Sequence, residues 1–145
     1  MKADHFLFIL FLPLILLSAL ACSQTQTKDN AVLNKTFKTV VGSVCMETDK
    51  PMPCAGYTVY LELSFKDDFV LVSEKGENDC GTVSEDKYKT NYSIKGDIVK
   101  VDKLTRYGEP LKIDQLIFAK NSLVGKTTGT DGSETEYIFE EIKTK

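Results

Sequence analysis

The chain contains no tryptophan and a single histidine, His5. That histidine falls inside an apolar leader that reads as a cleaved export signal, so the exported part is expected to hold no imidazole at all. The absence excludes His-based general-base catalysis, the Ser-His-Asp and Cys-His arrangements, and nearly every ordinary zinc site. No block of lysine or arginine interrupts the mild formal charge of -3, so nucleic acid is not an expected partner. Beyond Thr36 no stretch sustains an apolar repeat of about 3.6 residues, and a helix is therefore not expected there. Methionine is scarce as well, and apart from Met1 it occurs only as Met46 and Met52.

What is present begins with that leader. Phe6 to Leu17 is an apolar run broken only by Pro13, too short to span a bilayer comfortably, and Ala19-Leu20-Ala21 supplies small residues before Cys22. Residues 1–21 are thus read as a signal peptide. Two cleavage readings are open: ordinary signal peptidase after Ala21, or a lipobox, Ser18-Ala19-Leu20-Ala21-Cys22, in which Cys22 is lipidated and becomes the first residue. The polar stretch Ser23 to Asn30 favours the second. Residues 22–35 are then a lipidated Cys and a flexible tether, which could extend to about 40 Å, and residues 36–145 form the domain. The expected place is the cell envelope, on the outer membrane facing the periplasm and held by the lipid.

From Thr36 onward the dominant period is two. Tyr57, Val59, Leu61, Leu63 and Phe65 give the clearest one-sided strand, with Thr58, Tyr60, Glu62 and Ser64 on its other face. Eight strands are expected: 36–45, 57–65, 69–73, 87–94, 98–103, 111–118, 122–126 and 135–142. The fold class is all-β, an eight-stranded up-and-down antiparallel barrel or a strongly curled sheet. Connections after strands two, four and six are tight. Those after one, three, five and seven, at 47–55, 75–86, 104–110 and 127–134, are longer and should gather at one end, away from the tether.

One stretch carries a family likeness. Pro53-Cys54-Ala55-Gly56-Tyr57-Thr58-Val59-Tyr60-Leu61-Glu62-Leu63, followed by Asp67-Asp68-Phe69-Val70-Leu71-Val72-Ser73-Glu74, resembles the amino-terminal domain of the NlpE family of copper-resistance envelope lipoproteins. Tyr92 to Val101 and Leu116 to Leu123 are similar to strand-turn-strand repeats of lipocalin-like lipoprotein domains. The resemblance implies a lipocalin-like barrel, an envelope location and a part in envelope-stress or copper-related sensing. It departs from the family pattern at Gly56 and Tyr57, which follow Cys54 and Ala55 where a second cysteine of a Cys-x-x-Cys pair would stand.

Three cysteines remain beyond Cys22: Cys45, Cys54 and Cys80. In an oxidising envelope they imply one disulfide and one leftover thiol, with three pairings open. The pair Cys45 with Cys54 is favoured, closing a short loop stiffened by Pro51 and Pro53. The sharper reading is a soft-metal site, since Cys45, Met46, Met52, Cys54 and Cys80 are the sulfur ligands that suit Cu(I). Glycines and acids at 129–134 read as a hairpin loop rather than a calcium loop. Glu140 and Glu141 are adjacent and so point to opposite faces. No constellation makes an enzyme. The expectation is a non-enzymatic, lipid-anchored binding protein that meets a protein partner at the long-loop end. Two alternatives stand beside it: an immunity or inhibitor protein blocking a toxin or hydrolase, and a carrier of a small apolar ligand.

Overall fold

Phe37, Leu61, Leu63, Phe65, Val70, Val72, Leu123 and Phe139 occupy alternate positions of their segments, and all are 0% exposed. A period of two with one dry face is the pattern of a sheet that covers a core on one side. The structure, a computed structural model, describes residues 31–45 and 55–143. Its strands are β1 (Thr36–Cys45), β2 (Gly56–Phe65), β3 (Val70–Asn78), β4 (Gly81–Thr90), β5 (Tyr92–Lys95), β6 (Ile98–Val101), β7 (Thr105–Arg106), β8 (Glu109–Pro110), β9 (Leu116–Ala119), β10 (Ser122–Thr128) and β11 (Glu134–Ile142). No helix occurs among the described residues.

Nine strands form one antiparallel sheet in the order β4-β3-β2-β1-β11-β10-β9-β6-β5, while β7 and β8 pair only with each other. The sheet is a curled half-barrel of nine strands, which agrees with the curled-sheet expectation and not with a closed eight-stranded barrel. Its two edge strands, β4 and β5, are consecutive in the chain and are joined through Asn91 alone. The segment read as one strand over 87–94 is thus a strand that breaks at Asn91 and changes partner, from β3 on one edge to β6 on the other. Edge-to-face aromatic contacts tie the curl together across the core: Phe37 lies 5.9 Å from Phe65 and 6.2 Å from Phe118, and Phe65 lies 5.0 Å from Tyr92.

The fold starts before Thr36. Val32 is 1% exposed, the Asn34 amide donates to the Phe65 carbonyl, and the Phe65 amide donates to the Lys35 carbonyl. The last residues assigned to the tether therefore belong to the domain; one valine in a polar stretch carries no periodic signal, yet it fills the end of the core.

Two expected connections also differ. The stretch 75–86 is hairpin rather than loop: β3 and β4 pair from Val70↔Thr90 to Asn78↔Gly81. A cross-strand ion pair holds it, with Lys75 3.6 Å from Glu85, and Lys87 reaches the same carboxylate along β4 at 2.9 Å. The stretch 104–113 does not hang at the rim but folds back over the concave face. Leu104, Thr105, Leu111 and Ile113 are buried there. Leu111 and Ile113 alternate as strand residues do, but they pack onto the sheet instead of pairing within it.

Antiparallel register places the remaining connections. Thr36 faces Ile142, so the ends of β1 and β2 near Cys45 and Gly56 share one end of the sheet with the 129–133 turn, and Asn78 joins them opposite Gly81. The tight turns at 66–69, 96–97 and 120–121 lie at the other end.

Candidate functional site

The loop-bearing end and the concave face beside it are built by a few close approaches. Gly56 permits the first: a Cβ there would lie 2.7 Å from the Val44 carbonyl. Gly76 permits the second, since a Cβ would come within 2.7 Å of the Tyr57 ring, which lies across it. Asn78 then donates from Nδ2 to the Gly56 carbonyl at 3.0 Å and accepts from the Cys80 amide at 2.9 Å. One side chain thereby fixes the β3–β4 turn against the start of β2. Val44, Cys45, Gly56, Tyr57, Asn78 and Asp79 line a concavity of about 470 Å³ at this end.

The sulfur atoms are distributed differently from the expectation. Cys45 is an exposed free thiol. Cys80 is disulfide-bonded, and its partner lies outside the described residues. The expected Cys45–Cys54 bridge is therefore not the one formed, since closeness in sequence does not by itself bring two thiols into disulfide geometry. Cys22, Met46, Met52 and Cys54 fall outside the described residues. Of the expected copper ligands, Cys45 is the one placed as a thiol, and a disulfide sulfur at Cys80 is no thiolate donor. Among the described residues no three His, Cys, Asp or Glu side chains form a metal-binding group.

The 129–133 segment is a turn closed on itself. The Gly129 amide donates to the Ser133 carbonyl at 2.7 Å, and Asp131 Oδ1 accepts from the Ser133 amide at 3.0 Å and from its hydroxyl at 2.7 Å. Those bonds from Ser133 hold the Asp131 carboxyl below its ordinary pKa. Its Oδ1 is committed to the turn, and Gly132, at φ 82, supplies the left-handed backbone.

Sequence reasoning missed the residues that fill the concave face. β7 and β8 meet at Tyr107-Gly108, both with positive φ (56 and 77), the backbone of a two-residue hairpin. A bulky tyrosine is uncommon in that conformation, and here it is held from several directions. The Tyr107 amide donates to Glu74 Oε1 at 2.8 Å, its hydroxyl donates to the Ser43 carbonyl at 3.3 Å, and the Arg106 guanidinium lies 5.9 Å from its ring. Arg106 Nη1 donates to the Val41 carbonyl at 3.5 Å and to the Tyr137 hydroxyl at 3.3 Å. On the opposite side, Tyr88 of β4 accepts from the Thr105 hydroxyl at 3.1 Å. Burial raises the Tyr88 pKa. The signal available was the Tyr-Gly dipeptide, a hairpin cue of the same kind as Asn-Gly.

The convex face carries an ion-pair lattice. Lys38 lies 3.4 Å from Glu62, 3.0 Å from Glu77 and 4.0 Å from the Tyr60 ring centroid. Lys75 is 2.8 Å from Glu62, and that bond raises its pKa.

Fold and site together define an all-β half-barrel whose hollow is occupied by its own hairpin, with a shaped rim at the loop end. Comparisons with family models, with curated proteins and with solved structures return no match for this chain.

Proposed function

We propose that this protein is a non-catalytic binding module, anchored to the cell envelope through lipid on Cys22, whose working surface for a protein partner is the loop-bearing end of the half-barrel. The observation that carries the reading is the occupied concave face. Leu104, Leu111 and Ile113 sit where a carrier would hold its apolar ligand, so recognition falls to the outside of the sheet. The rim supplies rigid features of the sort protein interfaces use: the Tyr57 ring over Gly76, and Asn78 and Asp79 on a fixed turn. With Cys45 the one free thiol among the described residues, protein recognition is favoured over copper capture.

The test is photo-crosslinking in the native envelope. A photoreactive amino acid at Asp79 is expected to give a discrete protein adduct, while one at Asp68, in the turn at the far end, gives none. Adducts at Asp68 alone, or at neither position, would overturn the reading. Palmitate labelling of the full chain is expected to depend on Cys22, and an unlabelled wild-type chain would remove the anchor.

A further inference from the structure

The ladder between β1 and β11 is short. It runs over Thr36↔Ile142, Phe37↔Glu141 and Lys38↔Glu140, and there it stops. β1 continues to Cys45 along β2, and β11 begins at Glu134 along β10, so toward the loop end the two strands part. The cause is local. The register of β1 against β2 slips between Val40 and Gly42, and the extra residue, Val41, turns into the core at 4% exposure. A bulge of this kind bends its strand and increases the twist, which swings β1 away from β11.

The parted strands leave a groove of about 500 Å³ on the convex face, lined by Val40, Tyr60, Glu136, Ile138, Glu140 and Ile142. Val40 and Ile138 are 52% and 50% exposed, and with Ile142 they are half of the large exposed hydrophobics of the described chain. Such side chains facing one another across an unpaired strand edge form a template for another strand.

The two edges are not equivalent. On the β1 side, the Val41 and Ser43 carbonyls already accept from Arg106 and Tyr107. On the β11 side, no described strand pairs with Glu134 to Phe139 away from β10. The charge of the groove is equally one-sided. Lys38 is engaged by Glu62 and Glu77, whereas Lys126 serves both Glu134 and Glu136, at 3.6 and 3.8 Å, and Glu140 has no ion pair among the described residues. An occupant must therefore bring backbone hydrogen bonds for β11, apolar side chains for Val40 and Ile138, and positive charge for the glutamates.

We propose that this groove receives an extended segment of a partner protein, basic and apolar residues alternating, which adds as a strand to the free edge of β11. The inference rests on the binding reading above and assigns the mode and the chemistry of the partner.

A synthetic peptide alternating lysine and valine, titrated by fluorescence anisotropy against the full chain, tests it. The peptide is expected to bind, more tightly at low salt, and to slow hydrogen exchange of the amides between Glu134 and Phe139. Ile138→Glu, at an exposed position, should weaken binding about tenfold, or ~1.4 kcal/mol. Glu136→Lys should do the same, while Ile117→Glu, on another exposed isoleucine, should leave binding unchanged. A peptide N-methylated at alternate amides should fail. Equal binding of the methylated peptide, protection elsewhere, or no binding would overturn the proposal. So would protection of the same amides by self-association, which would make a second copy the occupant. If Ile138→Glu leaves the adduct formed at Asp79 unchanged, the groove assignment fails and the binding reading stands. Peptide binding at the groove without any adduct at Asp79 upholds the groove and removes the loop-end surface.

Discussion

Replacing Gly42 by alanine should destabilise the protein through one identifiable contact. A Cβ at position 42 would fall on the Tyr107 hydroxyl and within 3.2 Å of its Cζ, so the ring must leave the β1 backbone. Gly42 does not have positive φ, and the alanine itself strains nothing in the main chain. What is lost is the hydrogen bond to the Ser43 carbonyl, about 0.5–1.5 kcal/mol, and the ring's contact with Arg106, about 0.5–1 kcal/mol. Against this, alanine removes freedom from the unfolded chain, which contributes about 0.4–1 kcal/mol in the stabilising direction. The net expectation is a loss of about 1 kcal/mol, within a range of roughly 0–2, and a fall in the urea midpoint of roughly 1 M or less. Tyrosine fluorescence can follow the transition, since no tryptophan obscures it. The decisive step is the second background. In Tyr107→Ala the obstruction is gone, and Gly42→Ala should become neutral or mildly stabilising. An equal loss in both backgrounds would refute the account of how the hairpin seats on β1.

Other outcomes follow from the same geometry. Without reduction, alkylation should label Cys45 but not Cys80, and after reduction it should label both; an unlabelled Cys45 in the unreduced chain would reverse the assignment. Phe65→Ala should cost about 3–5 kcal/mol in equilibrium unfolding, because the ring is fully buried between Phe37 and Tyr92. The Lys87 bond to Glu85 and the Ser133 bonds to Asp131 lower both carboxyl pKa values. Their stabilisation is present above the ordinary carboxylate range, near about 4, and is lost as pH falls through the folded values. Tyr88 and Lys75 are raised, by burial and by the bond to Glu62 respectively. Their contributions hold below about pH 10 and fade as pH rises through the folded values. Thermal melts across pH should fall away at both extremes, and a midpoint still rising above pH 10 would contradict the Tyr88 assignment.

Period-two burial makes most of the sheet legible in the sequence. β2 is the plainest case, with Val59, Leu61, Leu63 and Phe65 dry and the residues between them half-buried. β3 and β4 are longer than their alternation suggests because charged residues line their outer halves, with Lys75 pairing Glu85 across the hairpin and Lys87 pairing it along β4, and such residues leave no hydrophobic alternation to find. Leu111 and Ile113 mislead in the opposite sense: alternation reports one-sided burial, and here the burial comes from lying on a sheet rather than within it. β7 and β8 have two residues each, too few to show any period, so only the turn dipeptide could have announced them. At the site, connectivity alone gathers Cys45 and Cys80 at one end, and register agrees. It could not place Arg106 and Tyr107 beneath β1, because a chain that folds across the hollow of its own sheet makes contacts at separations no local pattern encodes.

The central claim, that residues 104–113 occupy the concave face and leave recognition to the exterior, is open to one direct measurement. Nuclear Overhauser spectra of the full chain should show contacts from the Tyr107 ring to the Gly42 α-protons, and from the Ile113 methyls to Gly125. A Tyr107 ring without contacts to β1, with the Ile113 methyls in solvent, would empty the hollow and return the protein to the class of ligand carriers.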